Sequence, residues 1–503
     1  MKFFPNLLRV GLLLSMPFCK LFAQETTETS TDEMLHYYAE VNSGFSTSGQ
    51  NPFWLRNNQY GIAPINASPF GGRVGIYADY EKPSKDNKYL KAKPFDYGYG
   101  FELVGNTGTD ARVLLPEMYV KLRYKSFEFY TGRRREIIGL VDSTLSSGSY
   151  AWSGTALPMP KIQIGLVNFT PLGFTKNFIS VRGFFAHGWL EPTRSDVRGA
   201  FLHQKALYIR FGKPSAATKF IIGINHHAQW AGDNVYKNES YASDLAAYWN
   251  VITAKNLAGD SANIKKYGAN EGENRLGNHL GTIDLGLSLD YDSFSLLFYR
   301  QHFLEDGSLL AGMNLEDGLN GISFTNKEKQ KFGQKFYLKK ALFEFLNTKS
   351  QGGGVYYGNP SRGRDNYFNH GIYTDGWSYY GRSVGTPFIT PQAETVTDLP
   401  RYHSNTIQFF TNNNRVMAFH FALSGTVQED WLWESRFSFS QNFGTYDLPF
   451  ANTVNQFSGF FKLTKPLNWW DGASLTTTIA FDAGSLFKNS VGFQIGIRST
   501  VWE

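Results

Sequence analysis

Near the end of the chain, Leu475, Thr477, Ile479 and Phe481 alternate with Thr476, Thr478, Ala480 and Asp482. A period of two puts these sets on opposite faces of a strand, one mainly apolar and one mainly polar. The last stretch repeats the pattern, with Val491, Phe493, Ile495 and Ile497 against Gly492, Gln494, Gly496 and Arg498, and Trp502 stands one residue from the end. Similar stretches fall near 36–48, 72–80, 97–105, 113–124, 127–137, 161–168, 178–187, 203–212, 219–229, 282–291, 294–302, 336–346, 403–411, 415–423, 433–443, 454–464, 472–483 and 490–498. Two pairs of them are joined by two-residue turns, Lys125-Ser126 and Asp292-Ser293, the spacing of tight hairpins. The segment 327–346 fits a helix nearly as well as a strand, because Phe332, Phe336 and Phe343 interleave with Leu338, Leu342 and Leu346.

About eighteen strands, separated by turns and not by helical crossovers, predict an all-β fold: a transmembrane antiparallel β-barrel. An even count places both termini on one side. It then puts both tight turns on the periplasmic side, where such barrels keep their short connections. The same parity sends 49–71, 138–160, 188–202, 230–281 and 303–335 outside the cell. It sends the long insertion 347–402 to the periplasmic side or into the lumen, as a plug or cap.

Composition supports this reading. The chain has 503 residues with 43 Phe, 28 Tyr, 11 Trp and 50 Gly, yet a mean hydropathy of -0.32, which fits an outward apolar band with aromatic girdles around a polar interior. Lys2 and Arg9, the apolar run Val10 to Phe18, and Leu21-Phe22-Ala23 before Gln24 read as a secretory signal peptide, residues 1–23, cleaved after Ala23. Its apolar core is too short to span a bilayer as a helix. The only cysteine, Cys19, leaves with it, so residues 24–503 are expected to be one barrel unit without disulfides. The formal charge of +6 falls to +3 once Lys2, Arg9 and Lys20 are removed, too little to imply nucleic acid as a partner.

Catalytic templates are missing. The chain has no Gly-x-Ser-x-Gly elbow, no phosphate-binding loop and no His-Glu-x-x-His. His226-His227 is the only histidine pair, and neighbours in a strand face opposite ways, so the two do not ligate one metal together. No metal or cofactor is expected. The loops offer binding chemistry instead. Arg133, Arg134 and Arg135 end one strand and lead to Trp152, a basic cluster and an exposed aromatic at the rim for an anionic polymer, or for glycolipid phosphates and loop acids. Glu305-Asp306-Gly307 and Glu316-Asp317-Gly318 are turn chemistry in the first place; Glu305, Asp306 and Asp317 are alternatively carboxylates for calcium or sugar hydroxyls. Arg362, Arg364, Asp365, Trp377, Tyr379 and Arg382 mix aromatic platforms with planar charged groups, suiting either a sugar site or the packing of a plug.

Several of these segments, in order, resemble the capsule assembly Wzi family in its Bacteroidetes-like form. They are Asn51-Pro52-Phe53-Trp54-Leu55 with Asn58-Gln59-Tyr60-Gly61, Ser147-Gly148-Ser149 with Pro158-Met159-Pro160-Lys161-Ile162, Glu305-Asp306-Gly307-Ser308 with Asp317 to Ile322, Glu344 to Gln351, and Asp365 to Gly371 through Gly376-Trp377-Ser378. The order Thr348-Lys349-Ser350-Gln351-Gly352 departs from the Gln-Ser-Gly of that family. The resemblance implies an outer-membrane barrel of about eighteen strands, with an added helical element, that binds and organises exported capsular polysaccharide in a lectin-like way, without catalysis. Capsular polysaccharide, outer-membrane lipids and lipopolysaccharide, and the capsule export machinery are the partners it implies. A channel for oligosaccharides or hydrophobic solutes is the alternative that barrel size alone supports. An outer-membrane enzyme is a third, with no motif behind it.

Overall fold

The computed structural model describes residues 35–81, 93–305, 312–357, 363–403, 409–428 and 430–502. The signal-peptide expectation, Asp306 and Arg362 lie outside them. Eighteen strands form one sheet: β1 Leu35–Ser46, β2 Gly71–Ala78, β3 Phe95–Asn106, β4 Arg112–Tyr124, β5 Phe127–Arg133, β6 Lys161–Pro171, β7 Ile179–Trp189, β8 Phe201–Phe211, β9 Thr218–Trp230, β10 Asn278–Asp290, β11 Phe294–Glu305, β12 Gly318–Asn326, β13 Phe336–Asn347, β14 Val416–Val427, β15 Trp431–Gly444, β16 Pro449–Pro466, β17 Ala473–Gly484 and β18 Ser490–Trp502. Each pairs antiparallel with its neighbours in sequence. β1 closes the sheet on β18, from His36 opposite Trp502 to Ser46 opposite Gly492. Closure leaves no free edge, so every wall strand has its backbone paired within the sheet, as an apolar bilayer demands.

The period-two pattern sorts the two faces of the wall. In β9, Phe220, Ile222 and Ile224 are exposed outward, while Ile221, Asn225, His227 and Gln229 are buried inward. Phe419 and Phe421 of β14 and Phe457 and Phe461 of β16 face out in the same way, forming the apolar outer band. His226 and His227 accordingly point to opposite sides of the wall.

Two strand expectations change. Residues 318–326 form β12, whereas 403 and 409–411 form no strand and 404–408 lie outside the described residues. β12 escapes a search for alternating polarity because Leu319 faces inward and is fully buried, while outward Ile322 is flanked by Asn320. The segment 336–347 is therefore the thirteenth strand, not the twelfth. The connection 348–415 accordingly leaves from the end that carries 47–70, 134–160, 190–200 and 231–277, and not from the short-turn end. The opposite end holds the tight turns, including 125–126 and 291–293.

Candidate functional site

Three of the long connections turn back into the lumen and fill it. The first, 47–70, carries the short helix α1 Phe53–Arg56. Phe53 N–H donates to Asp482 Oδ2 of β17 (2.9 Å) and Trp54 Nε1 to Ser438 Oγ of β15 (3.2 Å). The second, 134–160, is seated on inward carboxylates. Leu140 N–H donates to Asp284 (2.8 Å), and Glu344 of β13 accepts from Ser146 Oγ (2.6 Å), Ser147 N–H (2.7 Å) and Tyr299 OH (2.5 Å). The third, 348–415, locks onto the second. Trp377 Nε1 donates to the Ala151 carbonyl (2.6 Å), and Gln229 Nε2 of β9 donates to that of Gly376 (3.0 Å).

The contact between loops is backbone-close. A Cβ at Gly385 would stand 2.0 Å from the Tyr150 carbonyl, and one at Gly61, where φ is +68°, 2.5 Å from Leu157 N; only glycine fits such approaches. Tyr150, Phe303, Tyr367 and Phe368 pack ring on ring at this junction. Between the packed loops and the wall, the cavity lined by Phe53, Phe388, Ser438, Ser440 and Phe487 measures about 10 Å³, room for one water at most.

The arginine run sits inside this packing. Arg134 bridges Glu128 (2.6 Å) and Glu136 (2.9 Å) with its guanidinium over the Tyr130 ring (3.9 Å). Arg135 pairs with Glu102 (2.7 Å) and reaches Glu117 (3.7 Å). Burial alone would raise the Glu136 carboxyl, but Lys161 at 2.6 Å and Arg134 outweigh it and hold the group below its usual range. Arg133 donates to Tyr379 OH (3.2 Å) and the Leu115 carbonyl (3.3 Å). Trp152 is not the exposed rim aromatic expected. It is 6% exposed, stacked on His227 (5.9 Å) and edge-on to Trp377 (6.4 Å). The reason is that its loop folds inward, where the ring fills space against the wall.

The remaining candidates divide in the same way. Glu305 accepts from Tyr150 OH (2.5 Å). Asp317 is fully buried and accepts from Ser350 N–H (2.9 Å), Gln351 N–H (2.7 Å) and Tyr367 OH (2.9 Å), and burial pushes its carboxyl up to about 6. Its three ligands are donors, so it serves as an anchor for the third loop and not as a calcium ligand. Trp377, Tyr379 and Asp365 are buried. Arg382 donates to the Arg56 carbonyl (2.7 Å), and Arg56 pairs with Glu394 (3.0 Å) inside the lumen.

Arg364 differs, because it is at the surface. It pairs with Asp447 (2.5 Å) in the β15–β16 turn and lies over Tyr356 (5.6 Å), which with Tyr357 is more than half exposed. Beside it Arg415 covers the Tyr446 ring (3.9 Å), whose hydroxyl donates to the Ser350 carbonyl (2.8 Å). This places cations, a carboxylate and open aromatic faces together on the long-loop end. Arg415, Tyr446 and Asp447 carry no motif; only their place beside the third loop, a long-range fact, singles them out.

The family model for the capsule assembly protein Wzi matches residues 57–418. Among solved structures, Wzi of Escherichia coli, described as a carbohydrate-binding β-barrel of the outer membrane involved in group 1 capsule assembly, is 13% identical with a TM-score of 0.56, over 92% of this chain and 83% of that one. OccAB2 and OccAB4 of Acinetobacter baumannii are 11% and 8% identical, with TM-scores of 0.46 and 0.45, over 94% of this chain and 100% and 99% of theirs. No curated protein sequence matches the chain. A match spanning most of the sequence, on a closed eighteen-stranded barrel with an apolar outer band, makes this chain an outer-membrane member of the Wzi capsule assembly family.

Proposed function

We propose that the protein binds capsular polysaccharide on its long-loop face and organises it at the cell surface, as a binding protein and not as an enzyme or pore. The observation that carries this reading is the filled lumen. Loops tied to inward Asp284, Glu344, Ser438 and Asp482 leave a polymer only the outer end to engage. At that end Tyr356, Tyr357, Arg364, Arg415, Tyr446 and Asp447 supply stacking faces and planar polar groups, the two elements of sugar recognition. The buried residues Trp152, Trp377, Tyr379 and Arg382 belong to the packing of the luminal loops.

Purified protein is expected to be retained on a column of capsular polysaccharide from its own host. Tyr356→Ala combined with Arg364→Ala should lower retention at least several-fold while the barrel stays folded. Unchanged retention would remove this face from the site. Absence of any retention by the unaltered chain would overturn the binding reading itself.

A further inference from the structure

The connection 231–277 meets the third loop near its start, where the Ala231 carbonyl accepts from Tyr373 OH (3.1 Å) and Tyr241 packs on the Tyr373 ring (6.0 Å). It folds over the outside of the barrel and builds a second apolar core there, from Ala228, Trp230, Ala231, Ala247, Val251, Leu257 and Leu276, with Phe201 and Tyr248 against it. Its main element is helix α2, Leu245–Thr253, whose N-cap Asp244 accepts from Ala247 N–H (2.7 Å). Ala228 and Trp230 are outward positions of β9, and Phe201 is one of β8. Tyr248 stacks on Trp230 (4.8 Å) and approaches His203 (3.4 Å from hydroxyl to Nδ1), while Lys205 Nζ donates to the Ile252 carbonyl.

The wall beneath is unusually polar for an outward face. His187, His203, Lys205, His226 and His279 all point away from the lumen, and His226 Nε2 contacts His279 Nδ1 at 2.9 Å. Such groups against lipid are costly. The helix and its connection bury His203 fully and leave the other four only partly exposed.

With Ala247 and Val251 turned to the wall, the opposite side of α2 carries Leu245, 86% exposed, and Trp249, 65% exposed, four residues apart and followed by Ile252 at the next turn. Thr253, also exposed, borders Trp249 on that side, and Asn250 falls to the flank. Directly below, on the same strands, Leu207, Ile222 and Ile224 are exposed members of the outer band. The apolar stripe of α2 is thus continuous with the lipid-facing surface and sits at its upper margin, where barrels carry an aromatic girdle and amphipathic helices rest in a bilayer interface.

We infer that α2 is a membrane-interface helix: strapped to the outer wall of β7–β10, it shields the polar patch and presents Leu245 and Trp249, with half-buried Ile252 beside them, to the lipids of the outer leaflet.

A nitroxide spin label tests this, in full-length protein carrying Cys19→Ser so that one introduced thiol is labelled. Protein with Trp249→Cys, and separately Leu245→Cys, is reconstituted in phosphatidylcholine–phosphatidylglycerol vesicles. Lys265→Cys, at an exposed position of the helix Ser261–Tyr267 in the same connection, is the aqueous reference. Retention of the heat-modifiable barrel band on a gel confirms folding for each. Labels at 249 and 245 are expected to collide with dissolved oxygen several-fold more than with a water-soluble nickel chelate, relative to 265. Equal nickel access at all three sites would overturn the inference. So would labels at 249 and 245 shielded from both quenchers with dipolar broadening, which would mean that a second copy of the chain covers the stripe.

Discussion

The same wall is covered on its two faces by different means. Inside, the loops are held to it by hydrogen bonds to wall carboxylates, since Asp284, Glu344 and Asp482 each receive a loop N–H, and to one another by charge, with Glu394 between Arg56 and Arg382. Outside, α2 is held mainly by ring stacking and aliphatic burial, with two polar ties to the wall, Lys205 to the Ile252 carbonyl and the Tyr248 hydroxyl to His203. The contrast follows from what each face is made of. An inward face built of polar residues must have its partners supplied when water is expelled, so the filling loops present backbone N–H groups and hydroxyls. Most of the outward face is already apolar, and the polar groups beneath α2 are met by the helix itself, through the Tyr248 hydroxyl and the Ile252 carbonyl.

Removing one partner should therefore cost more inside than outside. Glu394→Ala would strand two buried guanidinium groups, and about 3–5 kcal/mol of stability should be lost, read from the midpoint of urea unfolding in detergent. A loss under about 1 kcal/mol would mean that water reaches this pair and that the inner face is less dry than described.

Next is the pH response of the outer region. Burial pushes the Glu271 carboxyl up to about 7, only partly countered by the Gly277 N–H. A carboxyl raised in the folded state stabilises fully below its ordinary value of 4.5, and this contribution fades as pH rises from there through about 7. The outer connection should therefore be looser at pH 8 than at pH 5, by up to about 3 kcal/mol, seen as faster amide exchange over 245–253 after correction for intrinsic rates. Glu271→Gln keeps the acceptor for Gly277 and should flatten the profile. A pH dependence that survives this substitution would shift attention to other groups.

Smaller effects follow. Glu344→Ala leaves Ser146, Ser147 and Tyr299 without their acceptor, and roughly 2–3 kcal/mol should be lost, with increased exchange confined to the second loop. Val251→Ala on the wall side of α2 should cost about 1–2 kcal/mol and leave the lumen loops unchanged. If it also loosened 134–160, the two regions would be coupled and the contrast between them would fail.

Alternation along the chain reveals most of the wall, because period two survives wherever one face meets lipid. It fails at β12, where Leu319 turns inward onto packed loops and Asn320 outward. The lumen of a filled barrel accepts apolar side chains, and the polarity rule then loses its contrast. That single strand reverses the end from which 348–415 departs. The insertion's length pointed to a plug, but not that 47–70 and 134–160 share the task. The candidate site was less legible. Arginines and tryptophans chosen for sugar chemistry, such as Arg135, Trp152 and Trp377, are largely committed to each other and to wall carboxylates, since the same residue types serve recognition and dry polar packing equally well. Among the described candidates, Arg364 is the one whose neighbours, Tyr356 and Asp447, leave it at the surface. Nothing in local pattern distinguishes it, because Asp447 lies 83 residues away. The outer helix was hidden for a related reason: residues 230–281 read as a loop, and their return onto the outer wall depends on pairing between β8, β9 and β10.

The central claim is that loops anchored to inward wall groups close the barrel, so that the chain captures polymer and does not conduct solute. Single-channel recording of the purified full-length protein in planar bilayers tests it most directly. The expected trace is flat, with no reproducible steps above the bare membrane. Stable steps of porin size from folded, unaltered protein would contradict it.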